Sequence, residues 1–376
     1  MLTIVVVVAV AIVARGLSER GPNVAAPPNP TAGSVPNSAL APIPECKATL
    51  NTPISGSVAV VLADGEQTGT ATIVGLNTNK IFGRVDLGYA AVVALDAPNR
   101  QLVAICSNEN NSTTSLVAFG LDDLSIRWRV PFAERILTTG GGWLSVLASV
   151  DGRYIFTYHY RVLRPGDANA PGNTRYWIGV RDARTGNLLR EVETPQCGVA
   201  LFHQATPDLL FFSCPLSNEL RAIRTDNWQE DRKYPITGGR LAGLTAAGDR
   251  YVSVTADLWV YTTDTATGRQ LSASHWSDTA TPVVPFFDRL AMTGDGSEMW
   301  VPTAPASYDV TPGNAIADID LARGERRIQA VPALRAVGLA DRRVLYVQDG
   351  WLRSLDGTVH VDLGVSYRVV TWRIGP

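Results

Sequence analysis

The chain has 376 residues, 45% of them apolar, and a formal net charge of -2. That apolar share supplies a buried core and excludes global disorder. With 18% charged residues and no basic excess, little is available to neutralise phosphates, which excludes a dedicated nucleic-acid binder. Lysine occurs only at Lys47, Lys80 and Lys233, while Gly, Pro, Val, Thr, Tyr and Trp recur in short runs. This is the composition of strands and turns, and it predicts an all-β protein.

Leu2 to Ala14 is an almost unbroken apolar run. It is short for a membrane span, which needs about 20 residues, and suits the h-region of a signal peptide or a signal-anchor. No Lys or Arg precedes it; Arg15 and Arg20 follow. The alternative is a buried core strand. No cysteine follows closely enough for a lipoprotein-type anchor. Residues 1–20 are therefore expected to be a signal or anchor segment. Gly21 to Pro44, dense in Pro, Ala, Asn and Ser, cannot bury enough surface to fold and reads as a spacer, giving a linker over 21–45. The folded domain is expected over 46–376.

Four cysteines occur, at 46, 106, 197 and 214, and no two have metal-type spacing. A hairpin turning at Gln204 to Pro207 would make Cys197 and Cys214 cross-strand partners, close enough for a disulfide. Cys46 and Cys106 would remain as a clasp between spacer and domain. Four buried free thiols are the alternative.

The strongest signal is internal repetition at roughly 40 to 55 residues. One landmark is a tight turn between two β-rich runs, at Asp96–Asn99, Asp151-Gly152, Pro207-Asp208, Gly248-Asp249, Asp295-Gly296 and Asp341-Arg342. The other is Asp-x-x-Thr-Gly at Asp182–Gly186 and Asp264–Gly268, with looser copies at Asp122-Asp123 and Asp320–Gly324. Aspartate closes one strand, and glycine supplies the positive φ that leads into the next. Each unit thus reads as four short strands, a propeller blade. Blades fall near 88–133, 134–195, 196–237, 238–279, 280–331 and 332–364. Before them lie only three strands, and one surplus strand, Tyr367 to Ile374, ends the chain. The surplus strand is expected to complete the first blade and close a seven-bladed ring.

On these motifs, with Trp128 at the spacing of a quinoprotein-type repeat, residues 55–376 resemble the seven-bladed YVTN and WD40-like propellers of bacteria. The resemblance extends more loosely to the quinoprotein propellers. The Gly-His to Trp-Asp signature of true WD40 repeats is absent, and one blade alone carries the tryptophan. The resemblance implies the fold; such propellers host scaffolds, binders and enzymes alike.

The second-to-third-strand connections are long, at 107–114, 161–175 and 303–314, as is the passage through Trp143. Long loops gathered on one face mark it as the binding face. Trp143, His159, Tyr160, Arg161, Arg164 and Tyr308 are its candidate binding residues, because Tyr, His and Arg together suit an anionic or aromatic group. Inter-blade packing with a satisfied imidazole is the competing reading for His159. Four scattered histidines give no zinc pattern, and no nucleophile elbow, Walker loop or dinucleotide fingerprint occurs. The expected protein is a non-catalytic, extracytoplasmic binding or scaffold propeller without a cofactor, touching the membrane only through its N-terminus. Its partner would be a protein or small ligand on the loop-rich face. The alternative is a propeller enzyme, such as a lactonase, lyase or quinone-type dehydrogenase, with its site at the channel mouth.

Overall fold

The computed structural model describes residues 46–65, 69–88, 92–107, 114–132, 146–162, 174–195, 201–214, 218–237, 241–255, 257–276, 290–303, 313–364 and 369–375. The expected signal or anchor segment over 1–20 and the expected linker over 21–45 lie outside them. Every regular element among the described residues is a β-strand.

The strands form four-stranded antiparallel arrays in chain order. β1 (Lys47–Leu50), β2 (Val58–Gly65), β3 (Gly69–Gly75) and β4 (Lys80–Gly88) come first, then β5 (Val92–Asp96), β6 (Gln101–Ser107), β7 (Thr114–Gly120) and β8 (Ile126–Phe132). The next array is β9 (Val146–Ala148), β10 (Tyr154–Val162), β11 (Thr174–Asp182) and β12 (Leu188–Thr194). It is followed by β13 (Leu201–His203), β14 (Leu209–Cys214), β15 (Glu219–Arg224) and β16 (Glu230–Pro235). Then come β17 (Leu241–Leu244), β18 (Arg250–Val254), β19 (Trp259–Asp264) and β20 (Gln270–His275). The chain continues with β21 (Ala291–Met292), β22 (Glu298–Thr303), β23 (Gly313–Asp320) and the long β24 (Glu325–Ala340). It ends with β25 (Arg343–Gln348), β26 (Trp351–Ser354), β27 (His360–Asp362) and β28 (Val369–Gly375).

Three arrays, β9–β12, β13–β16 and β17–β20, are separate sheets. β21–β24 and β24–β27 share β24, whose first part pairs with β23 and whose last part pairs with β25. β28 pairs with β2, giving the order β28-β2-β3-β4 with β1 added along β4. A single parallel pair, Gly88 with Ser107, links this array to β5–β8.

Both faces of the central strands are buried, so they read as near-continuous apolar runs; β6 and β7 are buried at every residue. Each array packs against the next. Ile105 and Trp128 share a cluster with Ile155 and Ala183, Tyr158 and Phe156 share one with Phe212, and Tyr251 packs with Phe211 and Tyr234. Val61 and Ala63 of β2 belong to the same cluster as Leu345 and Leu352.

The turns follow the sequence landmarks. Asp182 Oδ1 accepts bonds from Thr185 N and Oγ1, both at 2.9 Å, and Asp264 Oδ1 does the same for Thr267 at 2.7 and 2.8 Å. Gly186 and Gly268 take φ of 72° and 71°, which only glycine adopts without strain. The amide after the third strand then reaches the preceding turn: Ala183 N to Arg153 O, Thr225 N to Asp208 O, Thr265 N to Asp249 O and Leu321 N to Ser297 O.

Trp128 joins two arrays. Its Nε1 donates to Ala183 O at 2.9 Å, and the ring lies so close to Gly186 that a Cβ there would sit 2.5 Å from it. Gln101 Nε2 donates to the same carbonyl at 2.6 Å and to Asp96 Oδ2 at 2.8 Å. Trp128→Ala removes a buried ring and leaves a cavity at this joint, with an expected loss of about 3 kcal/mol in urea unfolding. Trp128→Phe keeps most of the ring and should lose about 1 kcal/mol, the net worth of the missing hydrogen bond. Equal losses for the two variants would contradict this division.

Cys46 and Cys106 form a disulfide with a Cα–Cα distance of 5.6 Å, as expected, and such a bond is characteristic of an oxidising compartment. Cys214 is also disulfide-bonded; Cys197, its expected partner, lies outside the described residues. The hairpin register differs from expectation. Leu201 faces Ser213 and His203 faces Phe211, three places from the register of a turn at Gln204 to Pro207. The turn runs on to Asp208, because Pro207 O accepts the Thr225 hydroxyl at 2.6 Å and Asp208 O accepts Thr225 N at 3.0 Å. Among the described residues no helix is long and apolar enough to cross a membrane.

Candidate functional site

Alternation along β10 separates the side chains that the sequence places together, because successive residues of a strand point to opposite faces. Tyr158 and Tyr160 lie on the face toward β13–β16. Tyr158 is buried and stacks on Tyr176 with centroids 5.8 Å apart, and half-buried Tyr160 tilts against the same ring at 6.0 Å. Burial pushes the Tyr176 phenol up, and Tyr160 adds to the shift.

His159 points the other way, with its side chain out of contact with solvent. Its Nε2 lies 2.9 Å from Glu191 Oε1, and its ring stacks on Trp177 at 6.2 Å. Gly179 makes room for it: a Cβ there would lie 3.2 Å from the imidazole and 2.6 Å from Thr157 Oγ1. Within the fold His159 thus packs on Trp177 and meets Glu191, the arrangement of the competing inter-blade packing reading. Arg161 belongs to β10, but its side chain, like Trp143, Arg164 and Tyr308, lies outside the described residues. The structure thus brings Tyr160 and His159 to one end of one strand, on opposite faces.

Trp177 is the residue that sequence reasoning missed. It begins the exposed end of β11, half-buried, beside Arg175 and Glu193, which pair at 3.2 Å. Trp259 holds the same station in β17–β20. Each lies three residues before a bulge, at Val180/Arg181 and Thr262/Thr263, and each faces a polar partner across the ladder, Glu193 and His275. Trp259 stacks on exposed His275 at 4.8 Å and on Tyr261 at 6.0 Å. Both tryptophans stand next to a second-to-third-strand connection, the end where the sequence places the long loops. The pattern was present in the sequence as a tryptophan five residues before each Asp-x-x-Thr-Gly motif.

Between these stations, β15 and β16 carry a charged set. Glu219 meets Arg221 at 2.7 Å and Lys233 at 2.8 Å, and Arg221 also meets Glu230 at 2.7 Å. Lys233 first, then Arg221, bring the Glu219 carboxyl down to about 2. A carboxylate depressed by folding stabilises fully above its unfolded value, here the ordinary 4.5, and that contribution is lost as pH falls toward 2. Glu219→Gln should therefore flatten the decline of the unfolding midpoint below pH 4.5. Parallel acid limbs for variant and parent would contradict the assignment.

Among the described residues, no group of three or more His, Cys, Asp or Glu side chains is placed to hold a metal ion. What this end of the arrays offers is planar aromatic surface with charged neighbours. No protein-family model matches the chain, and no curated protein matches it.

Proposed function

We propose that the chain is a closed seven-bladed β-propeller of the YVTN and WD40-like kind. On this reading it is held outside the cytoplasm by its N-terminal segment and acts as a binding or scaffold module. Four observations support this: the succession of four-stranded arrays, the pairing of β28 with β2, the cluster common to β2 and β25–β26, and the Cys46–Cys106 disulfide.

The binding assignment is carried by one observation. Half-buried tryptophans recur at the same ladder station in two arrays, at the end bearing the long connections, each flanked by ionisable groups. Tryptophan and arginine are enriched among residues that dominate interface energies, since a rigid ring covers much area at little entropic cost. The partner is a protein or small ligand meeting Tyr160, Trp177 and Trp259, together with Trp143, Arg161, Arg164 and Tyr308.

The test is a photo-crosslinking amino acid placed at position 160, 164 or 308 of the full chain in its native cells, with position 323, on a tight turn, as the comparison. Adducts from the first three positions alone are expected. Adducts from position 323 alone, or from no position, would overturn the assignment.

A further inference from the structure

Five arrays share a bulge in the ladder between their last two strands. In the first array the residue opposite the bulge is Gly83, whose side-chain place Leu124 fills; in the other four a side chain is directed toward the neighbouring array. These residues are Trp128, Arg190, Arg232 and Ser272, facing Ala118, Val180, Ala222 and Thr262. Three of the four carry planar N–H donors that bond the next array's turn. Trp128 donates to Ala183 O at 2.9 Å, Arg190 to Asn227 O at 3.3 Å and Arg232 to Thr265 O at 2.8 Å.

Where that turn has a glycine, a ring covers it. Trp128 covers Gly186, and Tyr234, whose hydroxyl donates to Thr265 O at 3.1 Å, covers Gly268 at 2.6 Å from a built Cβ. Where the turn has Trp228 at φ 62° instead, that ring itself packs against Tyr154 and Phe156 of the preceding array, and Arg190 bonds the turn.

The fourth case breaks the pattern. The turn after β23 has a glycine, Gly324 at φ 68°, but a Cβ built there has nothing within 4 Å. Ser272 is too short to reach it. A groove of about 250 Å³ opens instead, lined by Val252, Leu271, Ser272, Asp295, Ser297 and Leu321. Leu271 is 42% exposed at its edge. The volume is below that of drug-sized pockets, which begin near about 300 Å³, and matches one ring system.

We propose that this groove is a docking site for a single donor-bearing aromatic side chain, tryptophan or tyrosine, presented by a partner polypeptide. The ring would take the seat that Trp128 and Tyr234 occupy elsewhere and donate to Leu321 O, the counterpart of Ala183 O and Thr265 O. Residues 1–45 contain no Trp, Tyr or Phe, so that stretch does not supply the ring. The groove lies at the tight-turn end, opposite the tryptophan stations, and is separate from the binding face proposed above.

The probe is N-acetyl-5-fluorotryptophanamide, followed by its fluorine resonance on titration with the whole protein. Saturable binding is expected, displaced by N-acetyltyrosinamide and not by N-acetylleucinamide. Ser272→Trp should fill the seat from within, raise the unfolding midpoint and weaken binding about tenfold or more, a change of about 1.4 kcal/mol. If that variant does not fold, Ser272→Arg, patterned on Arg190 and Arg232, replaces it. Absence of saturable binding, or undiminished binding to a folded Ser272 variant, would overturn the proposal. Binding of free indole without binding of the capped amino acid would overturn its assignment to a polypeptide.

Discussion

A chain ending at residue 364 is expected not to fold cooperatively, and a peptide of residues 365–376 supplied in trans is expected to restore it. β28 pairs with β2 from Val60–Gly375 to Gly65–Val369, with one bulge at Asp64/Gly65. β2 is buried on both faces, with Val61 and Ala63 in one cluster and Val60 and Leu62 in another. Removing β28 uncovers the ladder edge of a strand that otherwise has no exposed side. Each ladder hydrogen bond lost is worth about 1 kcal/mol net, and several are lost at once. That total is comparable with the whole stability of an ordinary domain, about 5–15 kcal/mol. The measurement is near-ultraviolet circular dichroism of the truncated chain before and after one equivalent of peptide. A truncated chain that unfolds cooperatively at the parent's midpoint would show that β28 is an ornament on the edge, and would remove the main support for ring closure.

This strand was legible in the sequence because an accounting argument exposed it: three strands before the first full repeat and one left over at the end. The turns were legible for a chemical reason. Asp182 and Asp264 each cap their own turn through threonine three residues on, so the motif contains its own partners. What the sequence concealed depends on registers between strands. His159 and Tyr160 look like one cluster, but period-two alternation sends them to opposite faces, and the burial of His159 depends on Gly179 and Glu191 in other strands. The hairpin register between β13 and β14 lies three places from the one the sequence predicts, because its turn is fixed from outside, by Thr225 bonding Pro207 and Asp208. The Ser272 groove is invisible for the same kind of reason. Serine on an outer strand is unremarkable until the bulge aligns it with Trp128, Arg190 and Arg232.

Loss of the Cys46–Cys106 bond is expected to cost about 4 kcal/mol, the chain-entropy value for a closed loop of this length. The bond spans a separation of 60 residues and holds together the first two arrays, which otherwise share one parallel pair and a side-chain cluster. It also fixes where the chain enters the domain. β1 adds four residues along the outer side of β4, Lys47 facing Asp86 and Leu50 facing Gly83, and Asn51 N donates to Phe82 O at 2.7 Å. Three of the four β1 residues are exposed, so packing alone holds this strand weakly. With the bond intact, a pull on the segment before residue 46 is borne by Cys106, a fully buried residue of β6, and bypasses the β1 ladder. The Cys46→Ala/Cys106→Ala chain should therefore show two changes. Its unfolding free energy from urea titration should fall by the amount given above, and amide exchange in residues 47–50 should accelerate more than in β6 or β7. The double variant is preferable to reduction, because Cys214 is disulfide-bonded too and a reductant acts on both bonds. An unfolding free energy within about 1 kcal/mol of the parent would mean that the unfolded chain gains little freedom from the loss. Unchanged exchange over 47–50 would mean that β1 holds its place through the ladder alone.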